Sequence, residues 1–134
     1  MFIPELRDHA LDILDGRFSK GNVPDIAFFE QRVKVHAALK PYSIQGIPDV
    51  RVLVYNSIPV MAMLRLATAA SRGRANLHAG GIGVGIDIPL GLTTTAIQRS
   101  RALDTLPGSR LRLSGIHLPE WDKTPQIAVA AADA

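Results

Sequence analysis

Three groups of polar side chains lie beside or within apolar stretches of this sequence and could bind an anion. The first group is Asp49 and Arg51, at the start of an apolar run. Residues two apart on a strand point to the same side, so this acid and this base could orient a ribose hydroxyl and a phosphate. The alternative is a surface ion pair at the end of a strand, which stabilises a fold only slightly.

Arg65 is the second group, because it interrupts an otherwise apolar run. A charge in such a position is costly unless it is paired. Its guanidinium group could hold a phosphate or a carboxylate through two parallel hydrogen bonds. A partly buried structural ion pair explains the same residue equally well.

The third group is Arg74, Asn76 and His78, which precede the pair Gly80-Gly81. If this segment is extended, the three side chains alternate onto one side. Three polar side chains followed by glycines suit a cleft that binds phosphate or carboxylate. The alternative is a polar loop before a hairpin, in which His78 bonds to a backbone carbonyl.

Other catalytic motifs are missing from the sequence. The glycines at 81, 83 and 85 lack the spacing of a dinucleotide fingerprint, and no P-loop lysine motif occurs. The four histidines, at positions 9, 36, 78 and 117, are too scattered for a zinc motif. The absence of cysteine excludes disulfides, thiolate metal sites and a thiol nucleophile. No nucleophile elbow is present for serine hydrolysis.

Composition indicates a folded protein with a moderate positive charge. Apolar residues make up 47% of the 134 residues, charged residues make up 20%, and the formal net charge is +3. The basic residues are dispersed, which argues against nucleic acid and is compatible with a polyanion such as ATP. No run approaches the roughly 20 apolar residues of a membrane span, and the first residues lack the pattern of a signal peptide. We therefore expect a soluble, cytoplasmic protein with no membrane and no nucleic-acid partner.

The elements that position these groups follow from residue patterns. Two hairpins are predicted, each from a pair of β-prone runs joined by a short turn. The fold class expected is α+β, an antiparallel β-sheet with flanking helices. The near-continuous apolar runs of the first hairpin suggest that both faces of its sheet are covered. The predicted elements are a helix at 6–14, strands at 26–33, 50–55, 58–66, 83–88 and 92–97, a turn-rich segment at 98–114, and a helix at 121–132 with Asp122 as its N-cap.

The order of these motifs resembles the middle of an ATP-grasp ligase. The sequence is most similar to the RimK-like branch, and within it to proteins called alpha-L-glutamate ligase-related. The resemblance covers about residues 10–125, and it identifies residues 1–134 as a partial ATP-grasp domain, its central portion. The segments that match are Glu30–Val33, Tyr42–Arg51, Arg74–Gly81, Gly83–Asp87 and Leu118–Asp122.

The resemblance also implies roles for individual residues. The backbone of 29–33 would contact adenine, which makes Glu30, Arg32 and Val33 nucleotide-binding residues, together with Asp49 near the ribose. Arg65 and Arg74 would be catalytic, and Arg74 would contact the phosphates of ATP or of an acylphosphate. Arg51, Asn76 and His78 would bind substrate, and His78 has no assigned chemical step.

The implied reaction joins a carboxylate to an amine, glutamate in this branch, through an acylphosphate made from ATP. The parent enzyme would use ATP and Mg²⁺, which requires oxygen ligands. The family's Glu-x-Asn metal pair and its two upstream lysines have no counterpart in this sequence. Asp87 belongs to the second hairpin and is not predicted to bind metal, so no metal ligand is assigned.

Three hypotheses follow for the function of the chain. The leading one is a fragment of an ATP-dependent carboxylate–amine ligase that is inactive alone, with its missing ligands encoded downstream. The second is a non-catalytic nucleotide-binding module on the ATP-grasp scaffold. The third is a structural or oligomerisation module, since a fragment with an open sheet edge should pair with a copy of itself. The expected partners are ATP, carboxylate and amino-acid substrates, and a second copy of the chain.

Overall fold

The structure is a computed structural model that describes residues 3–134. These residues form two compact units that meet in sequence after Val33. No helix among them is long and apolar enough to cross a membrane. The first unit contains one helix, and the second contains the whole β-sheet.

The first unit begins with helix α1, Ile3–Leu14, which confirms the helix predicted at 6–14. Pro4 lies in the first turn, where its missing N–H is tolerated because the first helical N–H groups have no intrahelical partner. The chain then reverses at Gly16, which has a φ of +77°. Arg17 folds back on Asp12 with a nitrogen–oxygen distance of 2.7 Å, which fastens this reversal to the helix.

The strand predicted at 26–33 is wrong, because this segment has no regular secondary structure. Its large side chains are exposed, and Phe28 and Phe29 retain 74% and 75% of their accessible surface. A β-strand needs a neighbouring strand to bond its backbone groups. None pairs with this segment in the described part of the chain, so a run of apolar residues was insufficient to make a strand.

The second unit is built on a five-stranded sheet in which sequential strands are neighbours and every pair is antiparallel. A short 3₁₀-helix precedes the sheet and helix α2 follows it, so the α+β class predicted from sequence is confirmed. The elements are the 3₁₀-helix Lys40–Tyr42, β1 Asp49–Tyr55, β2 Ile58–Leu66, β3 Ile82–Asp87, β4 Leu92–Gln98, β5 Arg101–Leu103 and α2 Thr124–Ala132.

Both predicted hairpins form. The turn between β1 and β2 consists of Asn56 and Ser57, whose φ angles of 47° and 59° match the twist of a two-residue hairpin turn. A further two-residue turn at Arg99 and Ser100 leads from β4 into β5. Strand β5 lies within the segment 98–114 that was predicted to be turn-rich, and it was missed because three residues are too few to show alternation.

The sheet has two different faces. Its core face is buried under the segment that follows β5, which contributes Leu106, Leu113 and Leu118 to the core. Its open face presents the alternate side chains and is exposed on the first hairpin, for example 53% at Leu53 and 59% at Met61, whereas Gly83 on β3 is buried beside Leu77. The expectation that both faces are covered therefore fails within residues 3–134. The open face comprises Asp49, Arg51, Leu53, Met61, Met63, Arg65, Gly83, Gly85 and Ile97.

Helix α2 begins at Thr124, three residues later than predicted, and Asp122 does not cap it. The N-cap position is Lys123, which makes no capping hydrogen bond with its side chain. Trp121 lies outside the helix because its ring is buried in the core of the second unit. Burial of this large apolar ring outweighs the local preference of aspartate for an N-cap.

Candidate functional site

Asp49 and Arg65 form one ion pair on the open face. The register of β1 with β2 places them directly opposite each other. Arg65 donates from Nε to Asp49 Oδ1 at 2.6 Å and from Nη2 to Oδ2 at 3.0 Å. These hydrogen bonds are the main reason that the pKa of Arg65 lies above its ordinary value. The charge of Arg65 within an apolar strand is therefore paired with Asp49, and an ion pair was the structural interpretation offered for each residue from the sequence.

The pair still leaves donors for a ligand. Arg65 Nη1 makes no hydrogen bond within residues 3–134, and the two side chains keep 28% and 43% of their exposure. Arg51 lies two residues after Asp49 on the same face, as expected for a strand, and it is exposed. Nothing in the described part of the chain pairs with its guanidinium group.

The loop between β2 and β3, residues 67–81, contains the third polar group. Its first turn is held by buried Thr68 and Ser71, because the Thr68 N–H donates to Ser71 Oγ at 2.8 Å and the Ser71 N–H donates to Thr68 Oγ1 at 3.2 Å. Arg74 follows this turn and is exposed. The loop is therefore built by its own hydrogen bonds, and these position the residues after Gly73.

Arg74, Asn76 and His78 do not form a single extended row. The chain is extended only as far as Asn76 and then turns. Asn76 Oδ1 accepts a hydrogen bond from the His78 N–H at 3.0 Å, and its backbone carbonyl accepts from the Gly81 N–H at 2.9 Å. Asn76 thus builds the turn that presents His78, and all three side chains remain exposed.

Gly80 joins this loop to the end of β4. Its carbonyl accepts hydrogen bonds from Thr68 Oγ1 and from Gln98 Nε2, both at 2.8 Å. The same connection places Arg99 beside the loop. The sequence analysis missed Gln98 and Arg99 because Arg99-Ser100 lacks the glycine, asparagine or aspartate that marks a two-residue hairpin turn.

The Asp49–Arg65 pair, loop 67–81 and the turn after β4 all lie at one end of the sheet. At this end β1, β3 and β5 begin and β2 and β4 end, and we call it the loop end. The loop 67–81 contains no acidic residue, and neither does 98–101. Asp49 is already paired with Arg65. Within residues 3–134 no carboxylate pairs with the remaining guanidinium groups of Arg51, Arg72, Arg74 and Arg99. Such an excess of positive charge can bind a phosphate or a carboxylate.

The residues predicted to contact adenine belong to the first unit. Glu30, Arg32 and Val33 are exposed and lie in a segment without regular structure. No interaction of the three side chains is found in the described ranges. Their assignment to a nucleotide site stays a prediction.

A divalent cation finds no ready site in the part of the chain that the structure describes. Within residues 3–134 no three histidine, aspartate or glutamate side chains converge as metal ligands would. Asp87 accepts a hydrogen bond from the Leu90 N–H at 2.9 Å, which closes the turn after β3. A metal site made by three or more such side chains is therefore not found among residues 3–134, and no step is derived through Mg²⁺.

Comparison with known proteins gives one family. The model of the family described as sugar-transfer associated ATP-grasp matches residues 2–134 of the chain. No curated protein and no solved structure matches it. The match covers both units and every element of the sheet.

Proposed function

The chain belongs to the sugar-transfer associated ATP-grasp family, and on this premise we propose that it binds ATP at the loop end of its open face. The family supports an ATP-dependent, ligase-like scaffold with ATP as a partner. We also propose the RimK-like, glutamate-type specificity suggested by the sequence, with a carboxylate and an amino acid as substrates.

The convergence of arginines at the loop end is the observation that supports the proposal. Arg51, Arg74 and the free Nη1 atom of Arg65 belong to elements that start or finish there, and loop 67–81 adds no carboxylate to compete with a ligand. Charge-assisted hydrogen bonds from arginine to phosphate are among the stronger ones in proteins. A triphosphate satisfies several such donors at once.

The proposed roles follow the chemistry of each side chain. In the parent reaction a substrate carboxylate attacks the γ-phosphate of ATP and releases ADP, and an amine then displaces phosphate to leave an amide. Arg65 and Arg74 stabilise the charge on the transferred phosphoryl group. Arg51, Asn76 and His78 bind the acceptor, and Asp49 orients the nucleotide while it holds Arg65. A contact of Glu30, Arg32 and Val33 with adenine is proposed from the sequence resemblance alone.

Titration with ATP tests the proposal. We expect ATP to raise the melting temperature of the chain, and Arg74→Ala to weaken ATP affinity by about 10-fold or more, the loss expected for a charged hydrogen bond. Arg110→Ala is the matched control, because Arg110 is equally exposed but lies in the segment after β5. An unchanged melting temperature at millimolar ATP contradicts a nucleotide site.

A non-catalytic nucleotide-binding module is the second candidate. It is favoured by the lack of clustered metal ligands within residues 3–134. For this candidate, ATP binds equally well with and without Mg²⁺, and no ADP appears when glutamate and a carboxylate acceptor are added. Mg²⁺-dependent ADP release that is lost in Arg65→Met supports the ligase instead.

A further inference from the structure

Arg99 occupies an unusual place at the loop end. It is the first residue of the two-residue turn between β4 and β5, with a φ of 47°. Its guanidinium group lies against Gly80: a methyl group added to Gly80 would be 3.2 Å from Arg99 Nη2 and 3.5 Å from Nε. The same methyl group would be 3.4 Å from Ala70 Cβ. Arg99 thus lies where the two turns of loop 67–81 meet.

The side chain of Arg99 donates no hydrogen bond within residues 3–134. The Gly80 carbonyl already accepts from Thr68 and Gln98, so Arg99 contacts this glycine without bonding to its carbonyl oxygen. No carboxylate within residues 3–134 pairs with Arg99, and the side chain is exposed. An exposed guanidinium group that lies beside Gly80 and has no carboxylate partner within residues 3–134 is suited to a planar, two-point contact with an anion.

We propose that Arg99 is a phosphate-binding residue of the loop end and contacts the polyphosphate of the nucleotide beside the Arg74–His78 turn. This inference rests on the proposed function for the identity of the ligand, but the anion site itself can be tested without a nucleotide. Gly80 has a φ of +97°, which favours glycine, and a methyl group there would also be 3.2 Å from Arg99 Nη2.

The planarity of the guanidinium group distinguishes this site from general attraction by positive charge. Lysine at position 99 keeps the charge but supplies a tetrahedral ammonium group that cannot make the same two-point contact. Glutamine removes the charge. Glutamine and lysine share the backbone preferences of arginine at a positive φ, so neither adds strain to the turn.

The experiment measures binding of sodium tripolyphosphate, ATP and adenosine by calorimetry at fixed ionic strength, after each variant is confirmed to be folded by its thermal transition. We expect Arg99→Gln to weaken tripolyphosphate and ATP by about 10-fold or more, and Arg99→Lys to recover only part of that loss. The matched control is Arg110→Gln, an exposed arginine in the segment after β5, and it should change either affinity less than about twofold. Adenosine binding should not change in any variant.

The outcomes separate this inference from the proposed function. Equal losses of affinity in Arg99→Gln and Arg110→Gln indicate general charge attraction and overturn the inference. If Arg74→Ala weakens the affinity for ATP but Arg99→Gln does not, the inference fails and the nucleotide site stands. If Arg99→Gln weakens the affinity for tripolyphosphate, but the wild-type chain binds ATP no more tightly than tripolyphosphate, the anion site stands and the nucleotide assignment fails. No binding of tripolyphosphate to the wild-type chain overturns the inference directly.

Discussion

At the scale of single residues, the register between β1 and β2 decides what Asp49 and Arg65 do. In the sequence they are sixteen positions apart and belong to separate groups, Asp49 with Arg51 and Arg65 alone, and each group had a structural and a functional interpretation. The hairpin brings them together in a two-point ion pair. Arg65 Nη1 makes no hydrogen bond within residues 3–134, so the pair restricts the orientation of the guanidinium group and leaves N–H donors for a ligand.

The strength of this pair can be measured. Both side chains are partly exposed, so we expect a coupling free energy of about 0.5–1 kcal/mol between them. The measurement is a double-mutant cycle of Asp49→Asn and Arg65→Gln in urea. Arg51→Gln is the control, since Arg51 lies on the same face without an ion pair in the described residues. A coupling near zero would mean that the pair does not hold Arg65 in place.

At the scale of elements, the segment before α2 is fastened to the turn between β3 and β4. Trp121 donates from Nε1 to the Ile88 carbonyl at 2.7 Å and packs against Gly91. A methyl group on Gly91 would lie 2.4 Å from Trp121 Cγ. This contact fixes the path of the chain after the core and explains why Trp121 is buried instead of beginning the helix.

Gly91→Ala tests this contact. Gly91 has a φ of +65°, so alanine adds backbone strain as well as a clash with the indole ring. Gly108→Ala is the matched control, because Gly108 has a φ of +78° but nothing within 4 Å of an added methyl group. We expect Gly91→Ala to lower the free energy of unfolding by about 1–3 kcal/mol more than Gly108→Ala does. Equal losses would show that the indole ring moves away without cost.

At the scale of the whole molecule, the two edges of the sheet differ. Strand β1 is a seven-residue edge with an apolar sequence, whereas β5 at the other edge has only three residues and begins with an arginine. Long apolar edges tend to pair with other chains, and short charged edges resist it. The expectation that copies of the chain assemble therefore applies most directly to β1.

Light scattering tests assembly through β1. We expect a mass of at least twice the 14.4 kDa of one chain. Leu53→Lys places a charge on the β1 edge strand and should shift the population towards monomer, while Ala102→Lys on β5 should not. A monomeric mass for the wild-type chain at all concentrations would contradict self-association.

The sequence by itself determined the local elements of this protein. Alternating and β-branched residues specify both hairpins, and the spacing of apolar residues specifies helix α1, because these preferences act over a few neighbouring positions. The order of Asp49, Arg51, Arg65 and the Arg74–His78 segment also predicted an anion-binding end, since consecutive antiparallel strands bring such residues to a common end.

Only the tertiary structure decided which of these side chains are free. The register of β1 with β2 places Asp49 opposite Arg65 and converts two separate charges into an ion pair. The Gly80 carbonyl joins loop 67–81 to β4, and this long-range contact brings Arg99 to the site. Likewise, the apolar run at 26–33 has no partner strand within the described residues and stays irregular. Pairing partners distant in sequence set each of these outcomes, and local preferences cannot encode them.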